Sequence, residues 1–275
     1  MSDPQVILEW YAEAGIDVCL QETPIDRFSE PEPVSKKIAK PAVSQAVRDR
    51  LERAKTLPSP PTPSVTVPDA NAVLSASEIA SAADTLGALR AAMAEFEGCN
   101  LKGTAKNMVF ADGNPEAKIM FIGEAPGRDE DIQGLPFVGR AGMLLDKMMA
   151  AIGLNRESAY ISNVIPWRPP GNRTPTQQET EICRPFIERH IELADPELIV
   201  LLGGSAAKTL LKTNDGIMRL RGKWADVNVG GKSIKTMPTL HPAYLLRQPA
   251  QKKLAWQDLL KIMATLAERN EEKSS

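Results

Sequence analysis

The chain has 275 residues, of which 43% are hydrophobic and 25% charged, and its formal net charge is −2. This composition is ordinary for a globular protein with a buried core, and the lack of any apolar run of about 18 residues argues against a membrane span. Its three cysteines are too few and too scattered for a disulfide framework. With no recognisable signal peptide, we expect a cytoplasmic protein.

The N-terminal quarter differs in character from the rest. Residues 6–19 have the spacing of a short amphipathic helix, and residues 1–32 carry eight acidic groups against Arg27 alone. Prolines then accumulate up to residue 68, around a basic stretch at 36–55. We therefore divide the chain into an N-terminal helical segment (1–27), a proline-rich, partly basic linker (28–74) and a folded domain (75–275). The N-terminal helix either docks on the domain or binds a protein partner, and the sequence favours neither.

The folded domain shows alternating helix and strand patterns. Ser75–Glu78 has the form of a capping box and predicts one alanine-rich helix to Glu97. Strands are then predicted over 118–123, 160–164, 197–202 and 234–240, and helices over 141–152, 176–194, 205–211 and 251–267. Because each strand is apolar on both faces, we expect an α/β fold, in three α/β/α layers, around a central, mainly parallel four-stranded sheet.

An unusual segment follows each of the four strands. These segments are the acidic turn 123–131, Asn163 with residues 167–173, the glycine pair 203–204 with Ser205, and residues 240–247. In an open parallel sheet, ligands bind beyond the carboxyl ends of the strands. The four segments therefore predict a single site at that edge.

Five residues of these segments and the neighbouring loop have side chains suited to chemistry or recognition. Glu124 and Glu130 are crowded carboxylates that position or activate water, or else belong to a solvated acidic loop. Phe137 is either a stacking platform for a planar ligand or a loop anchor. The amide of Asn163 can read a base edge, although such a residue is also a common turn former. His241 follows a strand directly and is the histidine that we expect to act.

Two further features bear on ligands. Residues 244–247 place apolar side chains beside an arginine, which suits insertion into a base stack with a phosphate contact, or the start of an amphipathic helix. No CxxC or HExxH spacing is present, so neither a metal site nor a cofactor is expected. The other histidine, His190, lies in mid-helix and has the setting of a surface or packing residue.

Four motifs occur in order: Gly-Glu-Ala-Pro-Gly-x-x-Glu-Asp (123–131), Pro-Phe-Val-Gly-Arg-Ala-Gly (136–142), Arg-Pro-Pro-Gly-Asn-Arg (168–173) and His-Pro-Ala-Tyr-Leu-Leu-Arg (241–247). Together they resemble the family-4 uracil-DNA glycosylases, the iron–sulfur branch of that superfamily. The resemblance runs from about Phe96 to the C-terminal helix. It implies a monomeric base-excision-repair enzyme that flips uracil out of DNA and hydrolyses its N-glycosidic bond, leaving an abasic site.

The resemblance also implies roles for individual residues. Phe137 would stack on uracil, Asn163 would bond its N3–H and O4, and His241 would face O2. The remaining matches are Glu124, Glu130 and Asn172 as further catalytic positions, Gly123 and Ala125 beside the base, and Arg140, Arg173, Leu245, Leu246 and Arg247 on the DNA. Glu130 would either form the wall beside C5 that excludes the methyl group of thymine, or hold the water.

The chain departs from the family in two places. Ala125 stands where family-1 enzymes place a water-activating aspartate. Another group must therefore activate the water, or stabilisation of the leaving group must supply most of the rate. The four cluster cysteines of family 4 align with Phe96, Cys99, Trp167 and Cys183, and two thiolates cannot hold an ordinary four-cysteine cluster. We therefore expect a clusterless enzyme without a cofactor, in which Cys99 and Cys183 are remnants of the ligand set and the two aromatic rings fill the cluster's volume.

Two alternative functions stay open at this stage. The lost ligands and Ala125 are compatible with a catalytically weak protein that binds uracil or damaged DNA. A glycosylase with a wider range of deaminated bases, such as hypoxanthine or xanthine, is also compatible with the motifs.

Overall fold

Residues 70–274 are described by the structure, which is a computed structural model. The predicted helix at 6–19 and the linker up to residue 69 lie outside the described residues. No helix between residues 70 and 274 is both long and apolar enough to cross a lipid bilayer.

The first helical region consists of two helices, α1 (Ala70–Ala82) and α2 (Leu86–Glu95). The prediction of one continuous helix was wrong, and so was its start, because Ser75–Glu78 lies inside α1. The break is at Thr85, whose backbone is extended and whose hydroxyl accepts a hydrogen bond from Ala88 N at 3.1 Å. A threonine in this conformation starts a new helix rather than continuing the old one.

Strands and helices then follow, singly or in pairs, up to residue 274. In chain order they are β1 (Ala111–Gly113), β2 (Ile119–Gly123), α3 (Arg128–Gln133), α4 (Arg140–Ala150), β3 (Tyr160–Asn163), α5 (Gln177–Ala194), β4 (Leu198–Leu202), α6 (Gly204–Leu211), α7 (Ile217–Leu220), β5 (Ala225–Val229), β6 (Lys232–Thr239), α8 (Pro242–Arg247) and α9 (Lys252–Ser274). Short 3₁₀ turns lie at Lys102–Thr104, Pro170–Asn172 and Pro249–Gln251.

The sheet has six strands in the order β1-β3-β2-β4-β6-β5. Its four central strands are parallel, as predicted, and the two edge strands pair antiparallel. The edge strands were not predicted, because β1 has three residues and β5 has exposed polar residues within it. β3 and β4 lie on opposite sides of β2, so the order in which strands are added to the sheet reverses at β2. Sheets of this type bind ligands beyond the carboxyl end of the strand at which this reversal occurs.

Side chains from both faces of the sheet are buried. Met120 and Ile122 of β2 face a core built with α1, α2, α5 and α6, while Ile119 and Phe121 face a second core built with α4, α8 and α9. A parallel sheet covered on both faces is the predicted three-layer α/β fold.

Helix α5 begins with the predicted capping box and contains the buried His190. Thr176 Oγ1 accepts from Glu179 N at 3.2 Å, and Glu179 Oε2 accepts from Thr176 N at 2.7 Å. His190 Nε2 lies 2.9 Å from the hydroxyl of Tyr160, and its ring stacks on Phe110 at a centroid distance of 4.3 Å. Of the two settings expected for His190, surface or packing, the structure shows packing, since the residue is 2% exposed.

Candidate active site

A cavity of about 220 Å³ lies at the carboxyl ends of β2, β3 and β6. It is smaller than the roughly 300–1,000 Å³ of pockets for drug-sized ligands, so its scale is that of a single base. The cavity brings together eight of the residues that the sequence singled out: Glu124, Ala125, Glu130, Phe137, Asn163, Asn172, Arg173 and His241.

Gly123, the last residue of β2, allows two of these side chains to approach each other. It pairs with Asn163 in the neighbouring strand. A Cβ atom at Gly123 would lie 2.4 Å from Asn163 Oδ1 and 2.6 Å from Phe137 Cζ. The absence of a side chain here therefore makes room for both the amide and the ring.

The amide of Asn163 is buried and partly unpaired. The residue is 5% exposed, and its Oδ1 has no hydrogen-bond partner among the described residues. Buried polar atoms are almost always paired, because an unmade hydrogen bond in the interior is costly. An acceptor left open in a cavity therefore indicates a ligand that donates to it.

His241 lines the same cavity in a defined protonation state. Its Nδ1 accepts a hydrogen bond from Ala243 N at 3.1 Å, so the ring nitrogen left for a ligand is Nε2. Burial, together with the nearby Arg247, lowers the pKa of His241 to about 4. The ring is therefore neutral near pH 7, and the assigned tautomer carries its proton on Nε2. Its centroid lies 5.7 Å from that of Phe137.

Glu124 is half-buried, and its Oε1 has no partner among the described residues. Burial raises the pKa of Glu124 above its usual value, and a hydrogen bond with Ser205 only partly offsets this effect. A carboxylate with an open oxygen and a raised pKa is suited to accept a proton from water.

Glu130 has a different environment from Glu124. Its Oε1 accepts from Val138 N at 3.1 Å and Gly139 N at 2.9 Å, and its Oε2 accepts from Gly127 N at 3.1 Å. Both oxygens are thus bonded to the backbone of two loops. Of the two carboxylates, Glu124 is the better placed to act on water.

Asn172 and Arg173 lie at the mouth of the cavity with partners of their own. Asn172 Oδ1 accepts from Arg168 Nε at 2.6 Å, which leaves the amide nitrogen of Asn172 as its free donor. Arg173 forms a bidentate ion pair with Glu179, with N–O distances of 2.8 and 2.6 Å. A contact between Arg173 and DNA, which the resemblance implied, would have to compete with this pair.

The remaining residues predicted to contact DNA lie outside the cavity. Arg140 and Arg247 are exposed, and Leu246 is 36% exposed. Leu245 is 1% exposed and packs in the second core. The prediction that Leu245 reaches DNA is therefore corrected, because this side chain is needed inside the protein.

The four positions that the resemblance matches to cluster cysteines, Phe96, Cys99, Trp167 and Cys183, converge in the first core. Cys99 Sγ and Cys183 Sγ are 3.9 Å apart, Phe96 packs edge-on against Phe186, and Trp167 is buried beside them. The hydrogen bond with Cys99 and burial raise the pKa of Cys183, which keeps its thiol protonated. Two thiols and two aromatic rings do not fit a cluster that needs four thiolates.

Two residues near the site escaped the sequence analysis. Ser205 was noted only as part of a strand-end segment, yet its side chain partly offsets the rise in the pKa of Glu124. Arg156 lies in the loop before β3 and bonds the backbone of Pro136 and Phe137. A single arginine in a polar loop has no pattern that could have revealed this role.

Comparisons with known proteins agree with this geometry. The profile of the uracil DNA glycosylase superfamily matches residues 110–260. The type-4 uracil-DNA glycosylase of Archaeoglobus fulgidus is 45% identical over 168 residues, which cover 60% of this chain and 84% of the relative. That of Saccharolobus solfataricus is 39% identical over 191 residues, 68% of this chain and 88% of the relative. That of Thermotoga maritima is 45% identical over 150 residues, which cover 54% of this chain and 77% of the relative.

Proposed function

This chain belongs to the uracil DNA glycosylase superfamily, among the type-4 enzymes, and we propose that it releases uracil from DNA by hydrolysing the bond between N1 of the base and C1′ of the deoxyribose. The DNA strand stays intact and carries an abasic site, the starting point of base excision repair. The observation that carries the proposal is the open Oδ1 of the buried Asn163, in a base-sized cavity beside Phe137 and neutral His241.

Recognition of uracil follows from the amide of Asn163. The N3–H of uracil donates to Oδ1, and O4 accepts from Nδ2, while the ring stacks on Phe137. Cytosine has a lone pair at N3 and an amino group at C4, so the buried amide would face the wrong partners, at a cost of about 1–3 kcal/mol for each unmade bond. Because the cavity holds only a single base, the nucleotide must leave the helix to be read.

Bond cleavage is assisted at O2 of uracil. Negative charge develops there as the N1–C1′ bond lengthens, and Nε2–H of the neutral His241 donates to this oxygen. A preorganised donor of this kind is worth about 3–4 kcal/mol in comparable oxyanion sites. The base leaves with the bonding electron pair as a uracil anion.

Glu124 is proposed to act on the water. The oxygen of water bonds to C1′, and its proton passes to the open oxygen of Glu124. Ala125 has no side-chain acceptor, so Glu124 is the carboxylate in the cavity with a free oxygen for this step. Transfer of that proton to the uracil anion restores the enzyme.

Contact with the rest of the DNA is assigned to exposed residues near the cavity. Leu246 would fill the space left by the flipped base, and Arg247 and Arg140 would bind phosphates. Every group in this scheme comes from one chain, so we expect the enzyme to act as a monomer.

We further propose that this reaction needs no iron–sulfur cluster. The support is the core formed by Phe96, Trp167, Cys99 and Cys183, which fills the corresponding positions with apolar contacts. Protein purified without oxygen should contain no stoichiometric iron and no broad visible absorbance, and its activity should survive EDTA. Iron at four atoms per chain would overturn this part of the proposal.

The proposed activity is tested with a labelled oligonucleotide containing one uracil, in EDTA. Wild type should create an alkali-sensitive abasic site, and His241→Ala and Asn163→Ala should slow its formation by about a hundredfold or more. Asn228→Ala, on the exposed edge strand β5, serves as the matched control and should keep the wild-type rate.

Other outcomes would redirect the function. Tight binding of uracil-containing DNA without release of the base would identify a binding protein. Release of hypoxanthine or xanthine from defined duplexes, at rates similar to that of uracil, would indicate a wider substrate range.

A further inference from the structure

We infer that Arg156 is a positioning residue for Phe137, the ring on which the base stacks; this inference rests on the function proposed above. Arg156 lies in the loop between α4 and β3 and is absent from the lining of the cavity. Its effect on the site must therefore pass through another residue.

The guanidinium of Arg156 bonds two successive backbone carbonyls. Its Nη1 donates to the oxygen of Pro136 at 3.2 Å, and its Nη2 donates to the oxygen of Phe137. The same group is held in place by Asp112 of β1 and by Asp146 of α4, the latter with an Nε–Oδ1 distance of 2.9 Å. The side chain is 26% exposed, so these bonds are partly shielded from water.

The amide groups that follow are held from the opposite side by Glu130. Val138 N and Gly139 N both donate to its Oε1, at 3.1 and 2.9 Å. The peptide group that joins Phe137 to Val138 thus has its carbonyl on a guanidinium and its N–H on a carboxylate. Charge-assisted bonds at both ends fix the orientation of this peptide.

Phe137 needs such support because its backbone is strained. Its φ of 54° lies in the left-handed region, which large L-residues rarely adopt. The start of α4 packs directly beneath it, since a Cβ at Gly142 would lie 1.7 Å from the oxygen of Phe137. If the carbonyls lost Arg156, the backbone would relax towards negative φ and the ring would turn away from Asn163 and His241.

Arg156 could instead only stabilise the fold through its ion pairs. Three variants distinguish this structural role from the positioning of Phe137. Arg156→Lys keeps a positive charge near Asp112 and Asp146, but a point charge cannot bond two carbonyls and two carboxylates together. Asp146→Asn removes an ion pair and leaves both carbonyl bonds. Phe137→Ala removes the ring through which Arg156 is inferred to act. Arg156→Gln replaces the lysine variant if that protein does not fold.

The experiment measures single-turnover uracil release and inhibition by free uracil. We expect Arg156→Lys to weaken both by about tenfold or more, because a misplaced group loses catalytic power steeply, with affinity for uracil-free DNA unchanged. Asp146→Asn should lose thermal stability and keep its rate within about threefold. In the Phe137→Ala background, Arg156→Lys should cause no further loss, since residues that act as a unit are not additive.

Hydrogen exchange gives a second readout that does not depend on activity. The amides of Val138 and Gly139 should exchange faster in Arg156→Lys than in Asp146→Asn at matched global stability. Additive losses in the double variant, or wild-type release and exchange by a folded Arg156→Lys protein, would overturn the inference. A wild type that releases no uracil, with exchange as expected, would count against the proposed function and not against the role of Arg156.

Discussion

Single contacts with the backbone determine the tautomer and the placement of side chains in the candidate site. The N–H of Ala243 selects the tautomer of His241, and the missing side chain of Gly123 lets Asn163 and Phe137 come together. These contacts determine where the side chains of the site lie, so small substitutions at these positions should have large effects on activity.

Gly123→Ala should close the cavity while leaving the fold intact. The new Cβ would meet Asn163 Oδ1 and Phe137 Cζ at 2.4 and 2.6 Å, so one of them must move out of the site. We expect uracil release to fall by about a hundredfold or more, as for other displacements of positioned groups. Gly103→Ala is the matched control, since a Cβ there meets nothing within 4 Å. Equal rates in both variants would contradict the geometry.

The rate of uracil release should depend on the ionisation of Glu124. Burial raises the pKa of this carboxyl, and only its ionised form accepts a proton from water. The single-turnover rate should therefore rise with pH through a pKa above the usual value of a glutamate and then level off. Glu124→Gln should be slower by about 10²–10⁴-fold and should lose this rise. Retention of the wild-type profile by the variant would assign water activation to another group.

Sequence reasoning brought the right side chains to one place but could not assign every role. Glu124, Asn163 and His241 each lie at or just beyond the carboxyl end of a parallel strand, and such positions meet at one sheet edge in this class of fold. The bonds of Glu130 to three backbone amides and the burial of Leu245 depend on how loops and helices pack. Neither leaves a local pattern in the sequence.

At the scale of elements, aromatic packing joins the α2–β1 connection, the loop after β3 and helix α5. Phe96, Trp167 and Cys183 come from these three segments and are buried in one core. Burial of large rings supplies non-directional stabilisation at this position. The packing of these side chains holds α5 against the sheet.

Trp167→Ala tests this packing. Removing a fully buried tryptophan should reduce the free energy of unfolding by about 3–5 kcal/mol, because a cavity is left behind. Trp256→Ala on α9, where the ring is 43% exposed, should change it by less than about 1 kcal/mol. Urea denaturation of both variants measures the difference, and similar losses would mean that Trp167 is not a core anchor.

The strands and helices show where a local sequence pattern is enough to predict an element. Long apolar strands and the capping box of α5 were predicted because their signals are local and strong. The break between α1 and α2 was missed because the alanine-rich run has a uniformly high helix propensity, and the edge strands β1 and β5 were missed because strand propensity in short polar segments is weak. Hydrogen bonding to Thr85 and pairing with β3 and β6 decided these elements.

At the scale of the whole molecule, two neutral histidines link folding to pH. Burial lowers the pKa of His190 to about 3, and burial with Arg247 lowers that of His241 to about 4. The unfolded chain binds protons at both sites below about pH 6.5, whereas the folded protein does not. Stability that is fully present above pH 6.5 is therefore lost as the pH falls towards 4.

His190→Gln should reduce this acid sensitivity. The contribution of His190 to the loss between pH 7 and 4 is about 3 kcal/mol, from about 1.4 kcal/mol for each pH unit and proton. The variant should start less stable, because the amide fits the site of the imidazole imperfectly, but its free energy of unfolding should fall less steeply with pH. Parallel pH curves for the two proteins would show that His190 does not titrate on unfolding.

The sequence by itself determined the layered α/β fold, the parallel order of buried strands, the family and the edge of the sheet at which the site lies. These properties rest on local periodicity and on motifs of adjacent residues. The tertiary structure alone decided which oxygens are free, which nitrogen of His241 carries the proton and how Arg156 and Glu130 hold the peptide after Phe137. Those properties depend on contacts between residues distant in the chain, and such contacts form only when the elements pack together.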